Sequence, residues 1–216
     1  IQLLKQSSKI LKVPSYLNIG IAYYKLKSEN NAYLYLKKIY DFKELQYKDK
    51  YSYFSAAYYL YKITNNKEYI KEITKISDKS KRLTEHEKLL VVDTLILQKN
   101  YKKALKIAEG IKNISKLKIA MLCIKLRDYD KAKLYLEKAS ANAKGDNAKN
   151  EVMWFKLYRN LKANDIANVT EDIIKIEERK RIFHPQKKLK LKLFFNKDKF
   201  TAKEYFDKIT NPSFDL

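Results

Sequence analysis

The sequence predicts an all-α chain made of successive antiparallel helix pairs. Three observations carry that expectation. Glycine and proline together supply only 6 of 216 residues, against roughly 12% in an average protein. Hairpin turns, bulges and phosphate-cradling loops lean on glycine, so β-rich folds, Rossmann folds and P-loops are nearly excluded. Apolar residues recur at three- and four-residue spacing almost throughout, the helical period. The polar breaks between these stretches carry residues that start helices.

Taken in order, Ile1, Leu4 and Leu11 form a weak helical stripe that ends before Pro14. Residues 1–13 are therefore expected to be the trailing helix of an upstream repeat or an N-terminal cap, in a chain cut from a longer solenoid. Pro14 and Pro185 suit the first turn of a helix, where a missing N–H costs little. Breaks fall at Ser28 to Asn31, Thr64 to Asn66, Ser77 to Thr84, Ser140 to Asn147 and Arg179 to Pro185. Thr84 and Glu87 stand in the capping-box arrangement, which predicts a helix starting at Glu85. Helices of about a dozen residues joined by short polar turns point to stacked antiparallel pairs.

The pairs repeat. A small or compact residue in each first helix is followed twelve residues later by a partner in the second. The series is Gly20/Ala32, Ala57/Tyr69, Val92/Ala104, Ala120/Ala132, Phe155/Ala167 and Lys190/Ala202, with first members 28 to 37 residues apart. Small residues at Gly20, Ala32, Ala120 and Ala132 would let helix backbones approach, while Tyr23, Leu36 and Leu136 fill the groove between them. The stretch Asn18 to Lys25 followed by Asn31 to Leu36 resembles the tetratricopeptide pattern, as do Asn100 to Ala104 and Asp128 to Leu136 for its second helix. The resemblance spans roughly residues 15–210. It implies a right-handed α-solenoid of about six helix pairs: repeats one to four over residues 14–140, and two degenerate, basic repeats with a C-terminal cap over 141–216. Departures are Tyr69 where the family has alanine, Lys190 where it has a small residue, and the mostly missing inter-repeat proline.

The formal net charge is +22, carried by 42 lysines and only 5 arginines. Lys, Ile, Asn and Tyr make up 96 of 216 residues and all have A/T-rich codons, so a low-GC bacterial genome accounts for much of that charge. The scarcity of arginine, whose planar fork matches phosphate and guanine edges, argues against nucleic acid. Cys123 is the only cysteine, which rules out an intrachain disulfide and a zinc cluster. No apolar run reaches the 18 or more residues that span a bilayer. His86 and His184 lie far apart, and Glu85-His86-Glu87 lacks the second histidine of a zincin. Cys123 sits at helical spacing among Ile119, Ala120, Leu122 and Leu126, as a buried packing residue does. No nucleophile motif, dinucleotide fingerprint or paired-carboxylate constellation is present, so the expectation is a non-enzyme without cofactor or metal.

Two surfaces stand out. Helical-repeat arrays bind partners in the groove lined by their first helices. That register predicts a protein-binding face of Tyr24, Lys25, Phe54, Tyr58, Tyr61 and Lys62, beginning near Leu17 and Ile21 and continuing through Leu89, Asp93 and Ile96. Farther along it runs through Leu117, Met121 and Lys125, then Lys156, Arg159 and Asn160. Thirteen of eighteen tyrosines lie between Tyr16 and Tyr69, and tyrosine is enriched in interface cores. The plainer alternative packs them in helix seams. The second surface is a basic patch of Arg179, Lys180, Arg181, Lys187, Lys188, Lys190 and Lys192, either a solvated helix face or a site for an anionic surface. In composition and repeat degeneracy the chain is similar to bacterial tetratricopeptide scaffolds of periplasmic rings around flagellar motors. That resemblance implies an adaptor that assembles a larger envelope or motor complex from other proteins, in the periplasm or at a membrane. The alternative is a nucleic-acid or anionic-ligand module using the basic C-terminal repeats.

Overall fold

A computed structural model describes residues 12–165 together with Asn168, Val169 and Asp172. The expectations for residues 1–11, for Ala167, for the last repeat and for the basic patch from Arg179 to Lys192 lie outside the described residues. Those described are helical, with no strand among them. The helices are α1 (Lys12–Lys25), α2 (Glu29–Asp41), α3 (Leu45–Lys48), α4 (Lys50–Thr64) and α5 (Lys67–Lys79). They continue as α6 (Glu85–Leu97), α7 (Tyr101–Glu109), α8 (Lys116–Lys125), α9 (Tyr129–Asn142) and α10 (Gly145–Lys162). The chain divides into two compact units at Ile114 and Ser115.

In the first unit α1 and α2, α4 and α5, and α6 and α7 form three helical hairpins, each packed along its own seam. The first helices also touch one another in order, α1 to α4 and α4 to α6, and the second helices α2 and α5 pack on α4 and α6 respectively. The four-residue α3, which the periodicity does not predict, lies between the first two pairs and rests on α4. In the second unit α8 and α9 form a further hairpin, and α10 packs against both.

The expected twelve-residue pairing of buried positions is present. Ala32, Ala57, Val92, Ala104, Ala120 and Ala132 are fully buried, and Tyr69 and Phe155 nearly so. At Gly20 the approach is closest: a Cβ there would lie 2.7 Å from Leu36 Cγ and 2.8 Å from its Cδ2. Leu36 is itself fully buried, so glycine is required by space. At the second pair Tyr69 fills the alanine position by meeting Tyr40 edge-on, ring centroids 4.8 Å apart.

The turns inside the helix pairs, and the end of α10, share a left-handed residue. Lys27, Asn65, Lys99, Arg127 and Asn164 each follow a helix with φ between 55° and 63°, the left-handed conformation that favours glycine. After Lys27, Lys99, Arg127 and Asn164 the next N–H reaches back five residues: Ser28 to Tyr23, Asn100 to Leu95, Asp128 to Cys123 and Asp165 to Asn160, at 2.8–2.9 Å. These are Schellman closures, satisfying carbonyls that the helix end would leave open. The residue that closes the turn often opens the next helix. Asn100 accepts from the Lys103 N–H at 3.3 Å and Asp128 from Lys131 at 3.1 Å. Thr84 and Glu87 form the expected capping box, Glu87 Oε2 accepting from the Thr84 N–H at 2.8 Å.

Glycine scarcity thus has opposite consequences at two kinds of position. Gly20→Ala should lower the melting temperature by an amount equivalent to about 1–2 kcal/mol, because overpacking the Leu36 contact outweighs the helix-propensity gain. Lys99→Gly should raise stability by about 0.5–1 kcal/mol, as the left-handed turn loses its Cβ penalty. Thermal unfolding followed by circular dichroism checks both, and a stabilised Gly20→Ala would contradict the seam geometry.

Candidate interaction surfaces

The tyrosine-rich quarter of the chain separates into two sets. One set is seam packing. Tyr35 of α2 lies against Tyr16 and Tyr23 of α1, with centroids 5.9 and 5.7 Å apart. Tyr40 of α2 stacks on Tyr53 of α4 at 5.2 Å.

The other set runs across the first helices. Tyr24 of α1 meets Tyr59 of α4 edge-on at 5.1 Å, and Tyr59 meets Tyr58 at 5.6 Å. Lys62 Nζ lies 5.9 Å from the Tyr58 ring centroid, within cation–π reach. Tyr51, 44% exposed, continues the row toward His86 of α6, 6.0 Å away. Tyr24, Tyr58, Tyr59, Tyr61 and Lys62 are half-buried, and Lys25 and His86 are exposed. Burial is the chief cause raising the Tyr59 pKa above its ordinary 10.0. The structure therefore joins Tyr24, Tyr58 and Lys62 through Tyr59, a residue the sequence register passed over. The run Tyr58-Tyr59 was the available signal. Tyr61 and Lys25 share these helices but enter no described ring contact.

Phe54 corrects the expected face. It is 0% exposed because α4 is the central helix of its unit, with α1, α2, α3, α5 and α6 all against it. Ser52 to Ala57 are buried without interruption, which leaves that half of α4 no groove-facing side. Leu17 and Met121 are likewise buried in seams. Cys123 is fully buried.

The first unit also holds a polar knot with no sequence signature. Tyr40 of α2 donates to Glu72 Oε2 of α5. Gln46 of α3 donates to Glu72 Oε1 at 3.1 Å and to the Tyr53 hydroxyl at 3.0 Å. Lys43 Nζ donates to the Tyr53 hydroxyl at 2.9 Å, sits 3.4 Å from Glu72 Oε1 and lies 3.9 Å from the Tyr40 ring centroid. Burial pushes the Glu72 carboxyl up, but hydrogen bonds from Tyr40 and Tyr53 and the Lys43 ammonium outweigh it and hold the group below its ordinary 4.5. Burial, followed by the Glu72 carboxylate, pushes both phenols well above 10.0. The knot pins α2, α3, α4 and α5 together.

In the second unit, Lys156, Arg159 and Asn160 border a small cavity of about 160 Å³. Two of these expected groove residues are engaged internally. Arg159 Nε donates to the Tyr129 carbonyl at 3.2 Å, its Nη1 donates to Asn160 Oδ1 at 2.6 Å, and Asp165 lies 3.6 Å from it. Asn160 Nδ2 donates to Asp172 Oδ2 at 2.6 Å. A hydrogen bond from Asn168, with the backbone N–H of Asn168 and the Arg159 charge, holds the Asp165 carboxyl below its ordinary range.

Among the described residues no group of three or more His, Cys, Asp or Glu side chains is placed to hold a metal ion, and no helix is long and apolar enough to cross a membrane. Comparison with family models, with curated proteins and with solved structures found no match.

The knot makes stability depend on pH in both directions. Because the folded pKa of Glu72 is depressed, its contribution is present above about pH 4.5 and fades as pH falls below that. Because Tyr40 and Tyr53 have raised values, their contribution is present below about pH 10 and fades as pH climbs above it. Melting temperatures across this range should show a flatter acid limb in Glu72→Gln, and an equally steep limb would contradict the assignment. Tyr53→Phe at neutral pH should cost about 1–3 kcal/mol, since Lys43 and Gln46 lose a shared acceptor.

Proposed function

We propose that the chain is a non-catalytic protein–protein interaction scaffold of the tetratricopeptide kind, a right-handed α-solenoid of about six helix pairs. On this reading it assembles or stabilises a larger bacterial complex of the cell envelope or of a flagellar motor, in the periplasm or at a membrane, and needs no cofactor. The observation that carries the reading is the row of Tyr24, Tyr59 and Tyr58 across two neighbouring first helices, bordered by Lys25 and Lys62. Tyrosine combines a large apolar face with a polar tip and loses little conformational freedom on binding, which suits it to anchor a partner. The first helices α1, α4 and α6 touch in sequence, so such a row is held on a continuous layer of backbone and not on loops. The internal commitments of Arg159 and Asn160 fit a scaffold, whose polar groups fasten the frame.

The experiment is affinity purification of the full-length protein from its own cells, with mass spectrometry of the co-purifying proteins, beside a Tyr58→Ala/Tyr61→Ala variant. The double variant should keep its helical circular dichroism and lose the partners that the native protein retains. Undiminished recovery of the same partners would overturn the tyrosine face as the docking surface.

A further inference from the structure

A second surface of the first unit lies on different helices and has unbalanced charge. The end of α2, α3, α5 and the connection after α5 enclose an open cleft of about 1340 Å³. Its cations are Lys50, Lys71, Lys75, Lys79, Lys81 and Arg82, and its only carboxylates are Glu68 and Glu72. Both carboxylates are already committed. Glu68 pairs with Lys71 at 2.6 Å, and Glu72 accepts from Tyr40 and Gln46 in the knot.

Neighbouring acids outside the lining are committed too. Asp41 pairs with Lys37 at 2.6 Å, Glu44 with Lys48 at 2.5 Å and Asp78 with Lys103 at 2.5 Å. Asp49 caps α4 through the Ser52 N–H at 3.1 Å, and Glu87 closes the capping box of α6. Lys50, Lys75, Lys79, Lys81 and Arg82 are left facing the cleft without a described carboxylate. A concave site walled by one sign of charge concentrates counter-charge.

We propose that this cleft binds an extended acidic peptide segment of a partner protein. Lys75 and Lys79 stand one helical turn apart on α5, about 6 Å along its axis. Carboxylates on alternate residues of an extended strand are spaced about 6.8 Å, so a Glu-x-Glu segment matches that lysine pair. The cleft exceeds the 300–1,000 Å³ typical of small-molecule pockets, which favours a polymer segment. Its concavity does not suit a flat lipid surface. Tyr47, 81% exposed on α3, and the half-buried Ile76 give the intervening side chains apolar surface to rest on. The site uses none of the tyrosines of the first-helix row, so its test is independent of the scaffold reading.

The test is fluorescence anisotropy with the full 216-residue chain and a fluorescein-labelled twelve-residue peptide alternating glutamate and alanine. Saturable binding is expected at low ionic strength. Lys75→Glu/Lys79→Glu should weaken it by at least about tenfold, with helical circular dichroism unchanged. Lys102→Glu/Lys106→Glu, which makes the same change of net charge at exposed positions of α7, should shift it by less than about twofold, since neither residue lines the cleft. Absence of saturable binding overturns the proposal, as does an equal loss in both variants, which would reduce the effect to net charge. Tighter binding of a twelve-nucleotide oligothymidylate, or of phosphatidylserine vesicles, lost in the same cleft variant, would also overturn it and assign the cleft to phosphate.

Discussion

Everything in the first unit depends on how closely helix backbones can approach within a pair. Gly20 admits Leu36 into a space where one methyl group would collide, and the small side chains of Ala32, Ala57 and Ala104 are fully buried. Close approach buries the apolar stripes and fixes which side chains remain on the surface. The tyrosine row exists because α1 and α4 lie near enough for Tyr24 to reach Tyr59. The basic cleft exists because α5 is held against α2 and α3 by the Glu72 knot. Packing distance therefore comes before surface chemistry in the order of causes.

The second constraint is the near absence of glycine. Hairpin turns between helices need a left-handed residue, and here lysine, asparagine and arginine take that conformation. After Lys99 and Arg127 the strain is offset by a Schellman bond and by the asparagine or aspartate that caps the next helix. Regular turns keep successive hairpins alike even where their seams differ, as where Tyr69 replaces a small residue. That uniformity is what a repeating frame requires of its connections.

The legible parts of the fold were those written locally. The capping box at Thr84 and Glu87, the twelve-residue pairing of buried positions and the burial of Cys123 all follow from spacing within about a dozen residues. The parts that escaped are long-range. Glu72 meets Tyr40 across 32 residues, and nothing near either residue announces the pairing. The four-residue α3 is too short to carry a period. Phe54 was misplaced because spacing assigns a face to a helix without knowing how many neighbours surround it. Charge was legible as a total, while its meaning came from the acids: those in and around the cleft are already engaged, so five cations stand together without one. The dense tyrosine content concealed two roles, seam filling and surface display, which only the inter-helix contacts separate.

Both surfaces fit the proposed function, a helical frame that holds partner proteins. Site-specific photo-crosslinking in the native cell tests it most directly. A benzophenone side chain placed at position 58, on the tyrosine row, should give a discrete covalent adduct with a partner protein, while one at position 102, on the exposed side of α7, should give none. Absence of an adduct at position 58 in a folded, expressed protein, or indiscriminate adducts at both positions, would contradict the account.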